Sequence, residues 1–182
     1  MSRVAVFFGT GYEEIEALTV VDILRRAGVD TVMVSVMGEC SVAGSHGIKV
    51  EMDSLIGEVD FDKIDVIVLP GGMPGTKELE ACAALMEQVD AFILKGKIVA
   101  AICAAPSILG HRGLLRGKKA CSYPSFESHL EGAQVLQEPA VTDGNIITGR
   151  GMGAAIPFGL AILEKLQGAE VARQMAETIV YQ

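Results

Sequence analysis

The feature that most constrains this chain is a repeated join. Short runs of Val, Ile, Ala, Leu and Phe, too short for core helices, break off at clusters of Gly, Pro or Ala, and an amphipathic segment follows. FFGTGYEE, VLPGGMPG, AICAAPS and TGRGMGAA are four such joins. Apolar runs of strand length without alternation are strands covered on both faces, and their regular exchange with helical segments builds a mostly parallel sheet between two helical layers. The expected fold class is therefore α/β, a three-layer sandwich with a mostly parallel central sheet. Residues 1–182 are read as one domain, since that length suits a single core.

Along the chain, RVAVFFG (Arg3 to Gly9) reads as the first strand. A helix from Glu13 to Ala27 follows, with Ala17, Val20, Leu24 and Ala27 on one stripe and Gly28 as its stop. Thr31 to Met37 is the second strand. Residues 39–53 alternate apolar and polar about Ser45, His46 and Gly47, which predicts a flanking β-hairpin. Asp65 to Leu69 is a strand leading to a helix over Glu78 to Lys95. Ile98 to Ile102 is a strand leading to a helix from Ala105. Further elements are a strand near Lys119 to Ser122, a short helix near Ser125 to Leu130, a hairpin turning at Asp143 and Gly144, and helices over Ala154 to Leu166 and Ala169 to Val180.

Charge narrows the partners. A net charge of -8 opposes general binding to nucleic acid or to anionic membranes, which both need an excess of Lys and Arg. The positive mean hydropathy of +0.40 comes from strand-sized runs and gives no membrane span. MSRVAVFFGTGYEE falls short of a secretory signal, so a cytoplasmic protein is expected. Cys40, Cys82, Cys103 and Cys121 form no CxxC pair and have no His at zinc spacing, so neither metal nor disulfide is expected.

In open α/β sheets ligands sit beyond the carboxyl ends of the strands, where these joins lie. Cys103 falls at one of them, between the strand ending at Ile102 and AAPS. An isolated buried cysteine is usually an inert small hydrophobe. Strand, sharp turn and helix, with small neighbours, is however the setting of a nucleophile elbow, and free N–H groups at a helix start favour a thiolate, so a lowered thiol pKa is expected. His111 lies eight residues further on, roughly 12 Å away at about 1.5 Å per residue, too far to pair with Cys103. His46 and His129 read as surface histidines. Glu16 is the better partner. Glu13 and Glu14 complement the helix start, whereas Glu16 points toward the apolar stripe, where burial would raise its pKa and let it shuttle a proton. Backbone N–H groups of Gly72 and Ala104 are candidate donors to a developing oxyanion.

GYEEIEA, VIVLPGG, AAICAAP and TGRGMG, in this order across nearly the whole chain, resemble the ThiJ/PfpI superfamily, and within it the DJ-one branch that holds the Parkinsonism-associated deglycase. The resemblance implies a flavodoxin-like sandwich, a homodimer, a nucleophilic Cys103, a protonated Glu16 bonded to it, and an oxyanion site at Gly72 and Ala104. It also implies cofactor-free glyoxalase III or deglycase chemistry, a hydrolase or lyase reaction on reactive dicarbonyls or their glycation adducts. Sulfinate formation at the cysteine and chaperone-like behaviour are attributed to the same family. The chain departs from the branch at Tyr123, where several members have His, at His46, where some have Arg, and at Met152, where a Pro is usual. Ala104 argues against the protease and amidotransferase branches, which place His directly after the cysteine.

The expected function is thus detoxification of small aldehydes or glycated substrates by a Cys103 thiolate with Glu16 as proton shuttle. The rival is an oxidative-stress sensor or chaperone-like protein using the same cysteine. A dinucleotide-binding role fits poorly, because GTGYEE lacks the third glycine of GxGxxG and sets Glu14 against a pyrophosphate. The expected dimer surface is the first helix, through Val20 and Val21, with the hairpin near His46.

Overall fold

The computed structural model describes residues 2–182. Its elements in chain order are β1 (Arg3–Phe8), α1 (Glu14–Arg26), β2 (Asp30–Ser35), β3 (Ser41–Ala43), β4 (Lys49–Glu51), β5 (Ser54–Leu55), β6 (Val66–Leu69), α2 (Gly75–Ala81), α3 (Ala83–Leu94), β7 (Ile98–Ile102) and α4 (Pro106–His111). They continue with β8 (Lys119–Ala120), β9 (Gln134–Val135), β10 (Ala140–Asp143), β11 (Ile146–Gly149), α5 (Ala155–Gln167) and α6 (Ala169–Thr178), with short 3₁₀ turns between. The main sheet has the order β10-β11-β7-β6-β1-β2-β5, parallel throughout except for β10, which runs antiparallel to β11 at one edge.

Alternation along each strand explains the three layers. Val4, Val6 and Phe8 of β1, with Val66, Val68, Ala100, Ile102 and Ile147, face α1, α5 and α6. Ala5 and Phe7, with Ile67, Leu69, Val99, Ala101 and Ile146, face α2, α3 and α4. Because both faces are covered, β1 and β6 read in sequence as continuous apolar runs and show no period of two.

The central strands and the hairpin stand where the sequence puts them. β3 and β4 pair antiparallel apart from the main sheet. The hairpin is tied to the join after β1 by Gly11 N–H to Ala43 C=O at 2.8 Å and Ser45 N–H to Tyr12 C=O at 2.8 Å. Among the described residues no helix is long and apolar enough to cross a membrane.

Two expectations need correction; the strand near Lys119 is present as β8, paired with β9 in a separate two-stranded sheet. The helix over 78–95 is two helices, broken where Cys82 adopts extended backbone. Leu79 and Leu85 are both buried on the same side of the sheet, yet six residues of one straight helix would turn them about 120° apart, so the break lets both pack. Val20 and Val21 are interior, at 0% and 6% exposure, and offer no outer surface. On α1 the exposed large apolar side chain is Ile15, which borders an open groove with Leu18, Ile48, Ile156 and Ile179.

Candidate active site

Cys103 is the first residue after β7, and its φ of 64° places a non-glycine residue in the left-handed region. That conformation costs an L-residue of this kind on the order of 1–3 kcal/mol and is held only where the surroundings enforce it. Here they do: its N–H donates to the Gly149 carbonyl of β11 at 2.9 Å, and its carbonyl accepts from the Tyr123 N–H at 2.9 Å. With both backbone groups occupied, the half-buried side chain is turned off the strand toward α1.

Glu16 enters from α1. It stands in the first turn of that helix with 1% of its surface exposed. Its Oε2 accepts the Gly71 N–H at 3.0 Å, while Oε1 is buried without a partner, and the neighbouring Cys103 thiol acts to lower the carboxyl's pKa. Gly71 is what permits the approach. A Cβ there would come within 2.6 Å of both the Cys103 Cβ and Glu16 Oε2, so any side chain would wedge the pair apart.

Burial pushes the Glu16 carboxyl up to about 7, against the hydrogen bonds from Cys103 and Gly71, which act to lower it. For Cys103 the thiol is pushed up to about 12 by burial first, then by the Glu16 charge and by the hydrogen bond to Glu16, while the N–H groups of Ala104 and Gly72 pull it down. The expectation of a thiol simply lowered by a helix start is thereby corrected. α4 is only six residues long, and two amides do not outweigh desolvation in the presence of an ionised carboxylate. The two Glu16 contributions, however, require that carboxylate to be ionised, a state its own burial opposes. With the proton on Glu16 its O–H becomes a donor to sulfur, and the sign of that contribution reverses. The two groups therefore titrate as one system.

The structure brings Cys103, Glu16, Gly72 and Ala104 together, the last two through N–H groups directed at the sulfur itself. It keeps the histidines away. His111, the last residue of α4, is bonded to Glu80 at 2.7 Å and to His129 at 3.0 Å. His46 Nδ1 lies 3.0 Å from Glu14 Oε2 and 3.8 Å from Glu13 Oε2, which fixes the hairpin to the start of α1. Burial acts to raise the Glu14 carboxyl, but hydrogen bonds from the His46 side chain and N–H, from its own backbone and from Ser45 hold it down at about 2. Glu13, Glu14 and His46 form the single grouping of metal-type ligand atoms among the described residues, and hydrogen bonds from Ser45 and His46 occupy the carboxylates. Sequence reasoning missed Gly71 as the residue that admits Glu16, although the GG doublet in LPGG marks a close backbone approach. It also missed Gly149, which contributes only a carbonyl and leaves no trace in residue type.

A profile of the DJ-1/PfpI family matches residues 2–165. The chain is 38% identical over 173 residues to Protein DJ-1 homolog A of Arabidopsis thaliana, covering 93% of this chain and 44% of that protein, so it spans less than half of that relative's length. It is 29% identical over 168 residues to the glutathione-independent glyoxalase DJR-1.2 of Caenorhabditis elegans, covering 92% of this chain and 89% of that one. Among solved structures, that of oxidized Toxoplasma gondii DJ-1 superposes with a TM-score of 0.95 at 36% identity, over 100% of this chain and 99% of the other.

Proposed function

Since the chain belongs to the DJ-1/PfpI family, we propose that it is a cysteine-dependent enzyme that converts reactive 2-oxoaldehydes, free or as early adducts, to 2-hydroxy acids. The observation that carries this reading is the buried Glu16 carboxyl, raised to about 7, facing a thiol whose sulfur receives two backbone N–H groups. A general acid or base works best with a pKa near the working pH. The name of the nematode relative is that of an enzyme of this class.

When the pair loses one proton, the charge rests on sulfur, where the Ala104 and Gly72 amides and the Glu16 O–H converge. The thiolate adds to the aldehyde carbon, and the aldehyde oxygen takes up the Glu16 proton, giving a hemithioacetal. Glu16, now a carboxylate, removes the hydrogen of that carbon as a proton and returns it to the neighbouring carbon through an enediol, while the proton of the first hydroxyl passes to the neighbouring oxygen. The former aldehyde carbon is then a thioester. Water displaces the sulfur and releases the acid, so the sum is aldehyde plus water, with hydrogen moved as a proton inside the substrate. Gly72 and Ala104 hold negative charge first on sulfur and then on oxygen.

Cys103→Ala and Glu16→Gln, checked for folding by circular dichroism, should each lose at least about 100-fold in dicarbonyl consumption. Undiminished turnover in either removes the mechanism. The same two amides suit the oxygens of an oxidised sulfur, which supports a second reading as an oxidation sensor. In that case mild peroxide would add two oxygens at Cys103 while dicarbonyl turnover stayed negligible. We also propose a homodimer in which a second copy covers the apolar face around Ile15 and Ile48, exposed at 49% and 55%.

A further inference from the structure

A groove that adjoins the backbone holding Cys103 is larger and more apolar than a three-carbon dicarbonyl requires. The two segments that clamp the Cys103 backbone, through Tyr123 N–H and Gly149 C=O, continue directly into the walls of one groove. Residues 123–124 form one wall and 150–154 the other, with Gln137 and Pro139 at the end, and this open groove has a volume of about 450 Å³. That lies within the range of about 300–1,000 Å³ found for pockets that hold drug-sized molecules.

Its lining is apolar where a ligand would rest. Tyr123 and Met152 are exposed at 49% and 51%, large side chains that no other part of the described chain covers. Pro124, Pro139 and Ala154 complete the surface. The one charge, Arg150, is already engaged: its Nη1 donates to the Gln137 carbonyl at 3.3 Å, and its Nη2 faces Glu127 Oε1 at 3.7 Å. The groove therefore has no unmatched charge with which to select an anionic substituent.

We propose that this groove receives the side group of the carbonyl substrate and that the group is aromatic, so that the enzyme acts on aryl-substituted 2-oxoaldehydes in preference to the smallest ones. An aromatic ring gains on the Tyr123 ring by offset or edge contact and on the Met152 thioether by sulfur contact, neither of which a methyl group offers. Tyr123 and Met152 thus act as specificity residues. The substrate assignment rests on the dicarbonyl reading above; the groove's preference for a ring can be measured without it.

The test compares two alkylating agents with the same bromomethyl ketone electrophile, 2-bromoacetophenone and bromoacetone. Rates of modification at Cys103 are followed by peptide mass spectrometry, and each is divided by the same reagent's rate with N-acetylcysteine. The normalised aryl-to-methyl ratio should be at least about tenfold, the order of effect expected for burying one ring on apolar surface. Gly153→Phe should bring it to about one. A Cβ at Gly153 meets open space and its backbone is not left-handed, so the new ring fills the groove without disturbing the core. Tyr123→Ser and Met152→Ser should each lower the ratio at least threefold. A ratio near one in the unmodified protein, or one that Gly153→Phe leaves unchanged, overturns the inference. Turnover of phenylglyoxal should likewise exceed that of methylglyoxal about tenfold in kcat/KM. Consumption of methylglyoxal with no aryl preference refutes this inference alone. An aryl preference in alkylation with neither dicarbonyl consumed refutes the dicarbonyl reading and leaves the groove as a site for an aromatic group.

Discussion

Gly71→Ala is the sharpest perturbation of the proposed site, because it adds one methyl group and nothing else. Gly71 is not among the residues with left-handed backbone, so alanine there meets no conformational penalty. Its Cβ would lie 2.6 Å from the Cys103 Cβ, 2.6 Å from Glu16 Oε2 and 3.0 Å from the Ile102 carbonyl oxygen. Ordinary contact starts near 3.4 Å. Sulfur-bearing and carboxyl-bearing groups must therefore each retreat by roughly 0.8 Å, or the Gly71 strand end must move by as much. Neither Cys103, clamped through both backbone groups, nor Glu16, 1% exposed, has room to yield freely. Overpacking of this kind costs about 1–3 kcal/mol of stability, and a displacement near 1 Å between reacting groups costs on the order of 100-fold in rate. Urea unfolding and dicarbonyl turnover would be measured together, with Gly57→Ala, whose Cβ meets open space away from the site, as the control. If Gly71→Ala turned over substrate within threefold of the parent, the close carboxyl–thiol contact would not be what the chemistry depends on.

Stability should also report the raised acid. Glu16 has a folded pKa of about 7 against about 4.5 unfolded, so the folded state holds the proton more tightly, and stability is full below about 4.5 and falls as pH rises toward 7. At about 1.4 kcal/mol per unit the loss is at most about 3 kcal/mol, and Glu16→Gln should abolish it, which urea titrations at pH 5 and pH 8 would reveal. For the proposed dimer, Ile48→Glu should shift the chain to a monomer in light scattering at micromolar concentration, since a charge would be buried on the apolar face.

The central strands and the elbow were legible in the sequence because doubly buried strands write themselves as apolar runs, and β7 with AICAAPS could hardly be anything else. Glu16 was legible for a related reason, being the one glutamate of GYEEIEA beside the apolar stripe. The break at Cys82 was not legible: EACAA carries no Gly or Pro, and only the need to bury both Leu79 and Leu85 shows it. The outward face of α1 is not legible, because Val20 and Val21 are apolar in either setting and only packing of α5 and α6 decides which residues remain outside. The titration of the thiol is not legible from the amides or the carboxyl taken one at a time, because burial of both groups couples them.

The pH dependence of Cys103 alkylation by iodoacetamide, in the parent chain and in Glu16→Gln, probes the shared proton most directly. If the acid keeps its proton and donates to the sulfur, replacing it with a weaker amide donor raises the midpoint by up to about one unit. A midpoint that falls in Glu16→Gln would mean that the resting charge sits on the carboxylate and the sulfur carries the proton, which contradicts the mechanism.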